Sequence, residues 1–235
     1  MIAWEIIDPP TGVGPDGDLS LHRRGDEWSI RSGGVELMNS RRFESERRLA
    51  ESAAALLDRA WTEHVLIGGL GMGHSLRAAL DAFPKAEIVV AEISPRVIAW
   101  NRGPLGALAG APLDAPRCRV LEADVRDAIA AARRRPADDR YTAILLDVDN
   151  GPEALSQPGN AALYSASGLS VIRQALSPGG VVAFWSAGPS PPFERRLRQA
   201  GFELRTERAP VRAGGRGRAR HTIWLAQPRS RGNRA

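Results

Sequence analysis

Three glycines at alternate positions, Gly69, Gly71 and Gly73, follow directly on the apolar run Val65-Leu66-Ile67-Gly68. Bare glycines after a strand let the backbone approach a ligand closely, and a helix starting behind them offers unpaired N–H groups. Glu92 stands 21 residues beyond Gly71, at the end of a second apolar run, where an acid can accept hydrogen bonds from two ribose hydroxyls. The spacing Gly69-x-Gly71-x-Gly73 differs from the G-x-G-x-x-G dinucleotide pattern, so the turn alone says little and its pairing with Glu92 says more. Asp124 closes a third segment, Leu121-Glu122-Ala123-Asp124-Val125, and Asp147 a fourth, Tyr141 to Leu146. An acid in such a place often does no more than cap the next helix. Four such features at the carboxyl ends of neighbouring strands nevertheless converge on one crevice, where open α/β sheets bind their ligands.

The elements that must position these residues follow from apolar periodicity. Strands are expected at His64 to Ile67, Ile88 to Ile93, Arg119 to Leu121, Tyr141 to Leu146 and Val181 to Trp185. Between them lie helices at Ser75 to Phe83, Pro95 to Asn101, Val125 to Arg134 and Ser167 to Leu176, the last ended by Gly179-Gly180. This alternation predicts an α/β fold with a doubly wound, mostly parallel sheet. A helix at Phe193 to Ala200 precedes a C-terminal antiparallel hairpin, Phe202 to Thr206 with Thr222 to Ala226. Ahead of the sheet, residues 1–18 look irregular, Leu19 to Arg23, Glu27 to Arg31 and Val35 to Met38 form a small β appendage, and Glu44 to Trp61 form a leading helix. The chain divides into a lead-in and appendage at 1–43, a main domain at 44–228 and a basic tail at 229–235.

A length of 235 residues with 43% apolar and 25% charged residues suits one α/β domain and excludes a disordered or fibrous chain. Runs such as Val181 to Trp185 fall far short of the roughly 20 apolar residues that span a bilayer, and the opening Met1-Ile2-Ala3-Trp4-Glu5 lacks a secretory pattern, so a cytoplasmic location without membrane contact is expected. Cys118 is the single cysteine, and His22, His64, His74 and His221 have no ligand spacing, so no metal site is expected. Lys85 is the only lysine among 32 basic residues. Nine arginines against Glu207 lie between Arg205 and Ala235, leaving the first 204 residues at −3. Arg212, Arg216, Arg218 and Arg220 admit two readings, a nucleic-acid surface or a solvated hairpin tip, of which the second is the simpler.

The order of motifs resembles the class I S-adenosylmethionine-dependent methyltransferases, a Rossmann-like fold, and within them the spermidine synthase branch. The resemblance covers roughly residues 19 to 205. It rests on the β appendage, Leu37-Met38-Asn39-Ser40-Arg41, the glycine turn, Ala91-Glu92-Ile93-Ser94, Glu122-Ala123-Asp124, and Leu146-Asp147-Val148-Asp149-Asn150-Gly151-Pro152. It implies an S-adenosylmethionine-type cofactor held by Gly69, Gly71, Gly73, Glu92 at the ribose, Asp124 with the Val125 amide at the adenine, and Asp147 beside the sulfonium. Asp147 would orient or deprotonate an acceptor, with Asp149 as second choice, and Asn150, Gly151 and Pro152 would belong to a loop closing over it. A homodimer and a small-molecule acceptor are implied in the same way.

Departures from that pattern carry information too. Spermidine synthases usually have an aspartate where this chain has Gly71, and it receives the amine of decarboxylated S-adenosylmethionine. Ser45 and Glu46 occupy the places of a tyrosine and a glutamine in the polyamine pocket, and the D-x-x-D of the gate loop becomes Asp147-Val148-Asp149-Asn150. A turn without an acid accommodates the carboxylate of intact S-adenosylmethionine, which an aspartate would repel. Methyl transfer is therefore the leading expectation, aminopropyl transfer from decarboxylated S-adenosylmethionine the alternative, and a non-catalytic nucleoside- or nucleic-acid-binding module the second alternative. Asp8-Pro9-Pro10-Thr11 is read as a turn, and Tyr164 and Trp185 as packing residues near the crevice.

Overall fold

The apolar runs Val65 to Ile67, Ile144 to Leu146 and Val181 to Phe184 become the middle of one sheet because each can be buried on both faces. In a computed structural model the described residues are 2–14, 16–57, 64–148, 151–152, 160–212 and 219–229. A four-stranded antiparallel sheet comes first: β1 Glu5–Asp8, β2 Leu19–Arg24, β3 Glu27–Ser32 and β4 Val35–Asn39, in that order. Helix α1, Glu44–Ala54, leads into β5 His64–Gly68, α2 His74–Ala82, β6 Glu87–Glu92, α3 Pro95–Arg102, β7 Cys118–Glu122, α4 Val125–Ala132 and β8 Tyr141–Leu146. The chain continues through α5 Ala161–Tyr164, α6 Ala166–Ala175, β9 Leu176–Ser186, α7 Pro191–Gln199, β10 Phe202–Pro210 and β11 Arg220–Pro228. The second sheet runs β7-β6-β5-β8-β9-β11-β10, parallel from β7 to β9 and antiparallel through the last two strands. This is the doubly wound architecture, with terminal hairpin and N-terminal appendage, that the motif order implies.

Alternation along each strand splits the core in two. Val65, Ile67, Ala143 and Leu145 face one layer with Leu49 of α1, Leu76 of α2 and Ile98 of α3. Leu66, Ile144 and Leu146 face the other with Ile129 of α4, Ile172 of α6 and Phe193 of α7. Leu21 and Ile30 of the appendage belong to the first layer, so the small sheet shares a core with the large one. Among the described residues no helix is long and apolar enough to cross a membrane.

Three expectations need correction. Residues 1–18 are not wholly irregular, because Glu5 to Asp8 pair with β2, although with a register shift between Ile6 and Asp8. The leading helix stops at Ala54 rather than Trp61, and residues 58–63 lie outside the described part. Gly179-Gly180 do not end α6. That helix ends at Ala175, its cap Leu176 with extended backbone already starts β9, and the glycines sit inside the strand, where the register against β8 slips between Tyr141 and Ala143.

The lead-in is held by α3. Arg96 donates to the carbonyls of Pro9 (2.7 Å) and Leu19 (2.7 Å) and pairs with Asp8 at 2.7 Å, while the Trp100 indole N–H donates to Asp8 at 2.7 Å and the Ser94 hydroxyl to Asp16 at 2.7 Å. Arg96→Ala should therefore lower stability by about 1 kcal/mol, the usual worth of such bonds. Thermolysin, which cuts ahead of apolar residues, should then cut first at Ile6, Ile7 or Val13 of the lead-in, with the main sheet intact. An unchanged cleavage pattern would show that the lead-in is fastened by its strand alone.

Candidate active site

The sheet reverses its order at β5, whose neighbours β6 and β8 lie on opposite sides, and ligands of such sheets bind beyond that point. The turn leaving β5 takes left-handed φ at Gly69 (+87°), Gly71 (+52°) and Gly73 (+83°). A Cβ on Gly69 would lie 2.3 Å from the Asp147 carbonyl oxygen, so only glycine lets the turn press against the end of β8. A Cβ on Gly71 would lie 2.6 Å from Met38 Cε, because β4 lays that thioether over the turn. The Asn101 amide of α3 donates to the Gly71 carbonyl at 2.8 Å and holds the turn in place.

Glu92 ends β6 and is 9% exposed. Its Oε2 accepts from the Leu70 N–H and its Oε1 from the Ser94 N–H, both at 2.9 Å, so the acid grips the glycine turn directly. Burial raises its pKa above the ordinary value, against a downward pull from neighbouring backbone N–H groups. Asp124 is the N-cap of α4: Oδ1 accepts from the Arg126 N–H at 2.8 Å and Oδ2 from the Arg126 guanidinium at 2.6 Å. Burial pushes Asp124 up, but the Arg126 bonds outweigh it and hold the carboxyl below the usual range. Val125 reaches the end of β5, its Cγ2 lying 2.9 Å from where a Cβ on Gly68 would be.

Asp147 follows β8, its N–H bonded to the Gly68 carbonyl at 2.9 Å. The Ser75 hydroxyl of α2 donates to its Oδ2 at 2.9 Å. Burial lifts its pKa to about 6, with Ser75 pulling the other way. Glu46 of α1 faces it: Glu46 is 6% exposed, and burial together with the Asp147 charge raises its pKa well above the ordinary value. The turn, Glu92, Val125 and Asp147 thus lie together at the carboxyl ends of β5, β6 and β8, and Asp124 stands beside them paired with Arg126. Gly151 lies against the end of β9, a Cβ there meeting Ser186 Oγ at 2.0 Å, and Pro152 follows in a turn. Asp149 and Asn150 lie outside the described residues, as do 213–218, which include Arg216 and Arg218 of the basic loop.

Ser75 was not legible as a site residue, and Glu46 was named only through the family resemblance, at a polyamine-pocket position, not from spacing to the strand ends. One signal exists for Glu46: it falls on the α1 stripe of Leu49, Ala50 and Ala53, an acid where the periodicity demands an apolar residue. Its neighbour Ser45 is fully buried, accepting from the Trp185 indole N–H at 3.0 Å and bonded to His221 Nδ1 at 2.8 Å. Trp185 is therefore a tie between α1 and β9. Tyr164 packs edge-on against Phe193 within the second core layer. His74 stacks on Phe43 at 4.4 Å between ring centroids, and burial lowers its pKa to about 4, so the ring is uncharged at neutral pH. Among the described residues no cluster of three or more His, Cys, Asp or Glu side chains could hold a metal ion.

No protein-family model and no curated protein matches the chain. Solved structures do. A spermidine synthase in complex with the transition-state analogue AdoDATO superposes with a TM-score of 0.71 at 19% identity, covering 95% of this chain and 80% of that one. The spermidine synthase from Thermotoga maritima gives 0.69 at 17% identity over 95% and 78%. Human methyltransferase-like protein 13 in complex with SAH gives 0.62 at 24% identity over 82% and 85%. The fold is that of the class I S-adenosylmethionine-dependent methyltransferases, in the arrangement shared with spermidine synthases.

Proposed function

We propose that this chain is an S-adenosylmethionine-dependent methyltransferase acting on a small amine-type acceptor. The residues suit such a cofactor: a turn without side chains at three positions lies beside a buried carboxylate at the switch point of the sheet. Glu92 would hold the ribose hydroxyls, the Gly69–Gly73 backbone the amino-acid end, and the Val125 amide with Asp124 the adenine. When bound, S-adenosylmethionine supplies a methyl group already activated by its positively charged sulfur. The chain's own task is then to align an acceptor and take its proton. Asp147 suits the second role because its raised pKa, about 6, makes it a better base than an ordinary carboxylate.

The observation that favours methyl over aminopropyl transfer is Gly71 with Met38 above it. No carboxylate stands there to receive a cofactor amine, and the neutral Met38 thioether carries no charge to repel the negative carboxylate of the intact cofactor. The likeness to two spermidine synthases keeps aminopropyl transfer as the second reading. Side-by-side calorimetric titration separates them. S-adenosylmethionine should bind several-fold more tightly than its decarboxylated form, and Gly71→Asp should shift the preference toward the latter. Aspartate tolerates the left-handed backbone better than most residues, and the Met38 terminus can swing aside. A clear preference of the unaltered protein for the decarboxylated compound would return the chain to the aminopropyltransferases.

A further inference from the structure

The carboxyl assigned to the ribose does not hold its place alone. Glu92 Oε1 accepts from the Ser94 N–H at 2.9 Å, so the aim of the acid depends on where the Ser94 peptide lies. Ser94 is 3% exposed and caps α3, its Oγ accepting from the Val97 N–H at 3.2 Å. A hydroxyl has one proton to give, and here it goes to Asp16 Oδ2 at 2.7 Å, an acceptor 78 residues earlier in the chain. Giving that proton to a carboxylate leaves the lone pairs of Oγ for the Val97 N–H, and bonds linked in this way strengthen one another. A run of hydrogen bonds thus leads from the lead-in through Ser94 and Glu92 to the Leu70 N–H of the glycine turn, which donates to Glu92 Oε2 at 2.9 Å.

The backbone around Asp16 is fixed as well. The Gly17 carbonyl accepts from the Thr11 N–H at 2.8 Å and the Gly12 N–H at 2.9 Å, and a Cβ on Gly17 would lie 2.5 Å from the Val13 nitrogen, so the chain folds tightly on itself just after the acid. Arg96 donates to the carbonyls of Asp16 at 3.4 Å and Leu19 at 2.7 Å, which ties the same stretch to α3. We infer that Asp16 is a positioning residue for the cofactor: through Ser94 it keeps Glu92 aimed at the ribose, and it joins attachment of the lead-in and cofactor affinity into one linked equilibrium. The inference rests on the transferase reading for its ligand and adds to that reading a residue that acts through another. Linkage is reciprocal, so a lead-in that steadies the cofactor must be steadied by it in return. A lead-in that merely covered the core would show no such exchange.

The test is calorimetric titration of the full chain with S-adenosylhomocysteine for wild type, Asp16→Ala, Asp16→Asn, Glu92→Ala and the double variant Asp16→Ala with Glu92→Ala. Asp16→Ala should weaken binding about fivefold, the lower range for coupled groups. Asp16→Asn should recover most of that loss, because its amide oxygen still accepts from the Ser94 hydroxyl. In the Glu92→Ala background the change at Asp16 should cost less than about twofold, since its effect travels through the missing acid. Thermolysin gives the reciprocal reading at Val13, which is 76% exposed. Saturating S-adenosylhomocysteine should slow cleavage there about fivefold in wild type and much less in Asp16→Ala. Protection of the wild type needs no variant, so the inference is decided even where a substituted chain fails to fold. It is overturned if S-adenosylhomocysteine leaves cleavage of the wild-type lead-in unchanged, if Asp16→Ala binds as wild type does, or if the losses at Asp16 and Glu92 simply multiply. Failure of S-adenosylhomocysteine to bind the wild type overturns the transferase reading and this inference with it, whereas binding indifferent to Asp16 overturns this inference alone.

Discussion

Asp147→Asn should cut turnover by about 10²–10⁴, the usual contribution of a positioned general base, while leaving cofactor affinity within a few fold. The carboxyl sits where β8 ends against Gly69, with Ser75 fixing one oxygen, so asparagine keeps the shape and loses only the capacity to take a proton. The pH profile supplies an independent check. Burial lifts the Asp147 pKa to about 6, so the wild-type rate should fall about tenfold per unit on the acid side of pH 6, as an apparent titration of the pair with Glu46. That limb should vanish in the variant. Stability should move the other way. A carboxyl whose folded pKa exceeds its ordinary value of 3.8 takes up a proton on folding, so its penalty is absent below that value and complete above about pH 6. Asparagine removes the penalty, and the variant should melt above the wild type at pH 7.5 and level with it near pH 4. Unchanged turnover with an identified acceptor would reduce Asp147 to a cap at the strand end.

Glu92→Ala should weaken cofactor binding roughly ten- to a hundredfold, because losing a charge-assisted hydrogen bond costs about 1.5–3 kcal/mol. Geometry adds a second route to the same loss. The carboxylate accepts from Leu70 within the glycine turn and from Ser94 at the start of α3, so its removal also frees the backbone that must cradle the ligand. Glu92→Gln, which retains one oxygen for the turn but no charge, should fall between wild type and alanine. Calorimetry with S-adenosylhomocysteine reads all three proteins, and equal affinities would remove Glu92 from the site.

How much of this was legible before the structure depends on whether a residue's role is set locally. Val65 to Ile67 and, apart from Thr142, Tyr141 to Leu146 are apolar, which strands buried on both faces require, and they lie as expected. The glycine turn was legible for the same reason, since left-handed φ is a local demand. Gly179 and Gly180 misled because Ser177-Pro178-Gly179-Gly180 carries every sign of a helix stop, whereas β8 imposes an irregular strand on it from a distance. Ile6 and Ile7 gave no alternation, and β1 exists only because β2 is there to pair with it. Glu46 came forward only through the family resemblance, because Glu44, Arg47 and Arg48 around it are charged and only the docking of α1 on the sheet buries it.

The order of strands at the far edge has a consequence for biosynthesis. β11 lies between β10 and β9, with Ile223, Trp224 and Leu225 buried, so the edge of β9 stays uncovered until the chain has emerged as far as Pro228. A nascent protein would hold five parallel strands and a row of unpaired backbone groups on β9, a template for pairing with other chains. Any stop codon ahead of Arg220 should therefore yield not a shorter folded protein but an aggregating fragment. Production of this chain should likewise depend on translation reaching the final strand faster than two unfinished copies meet.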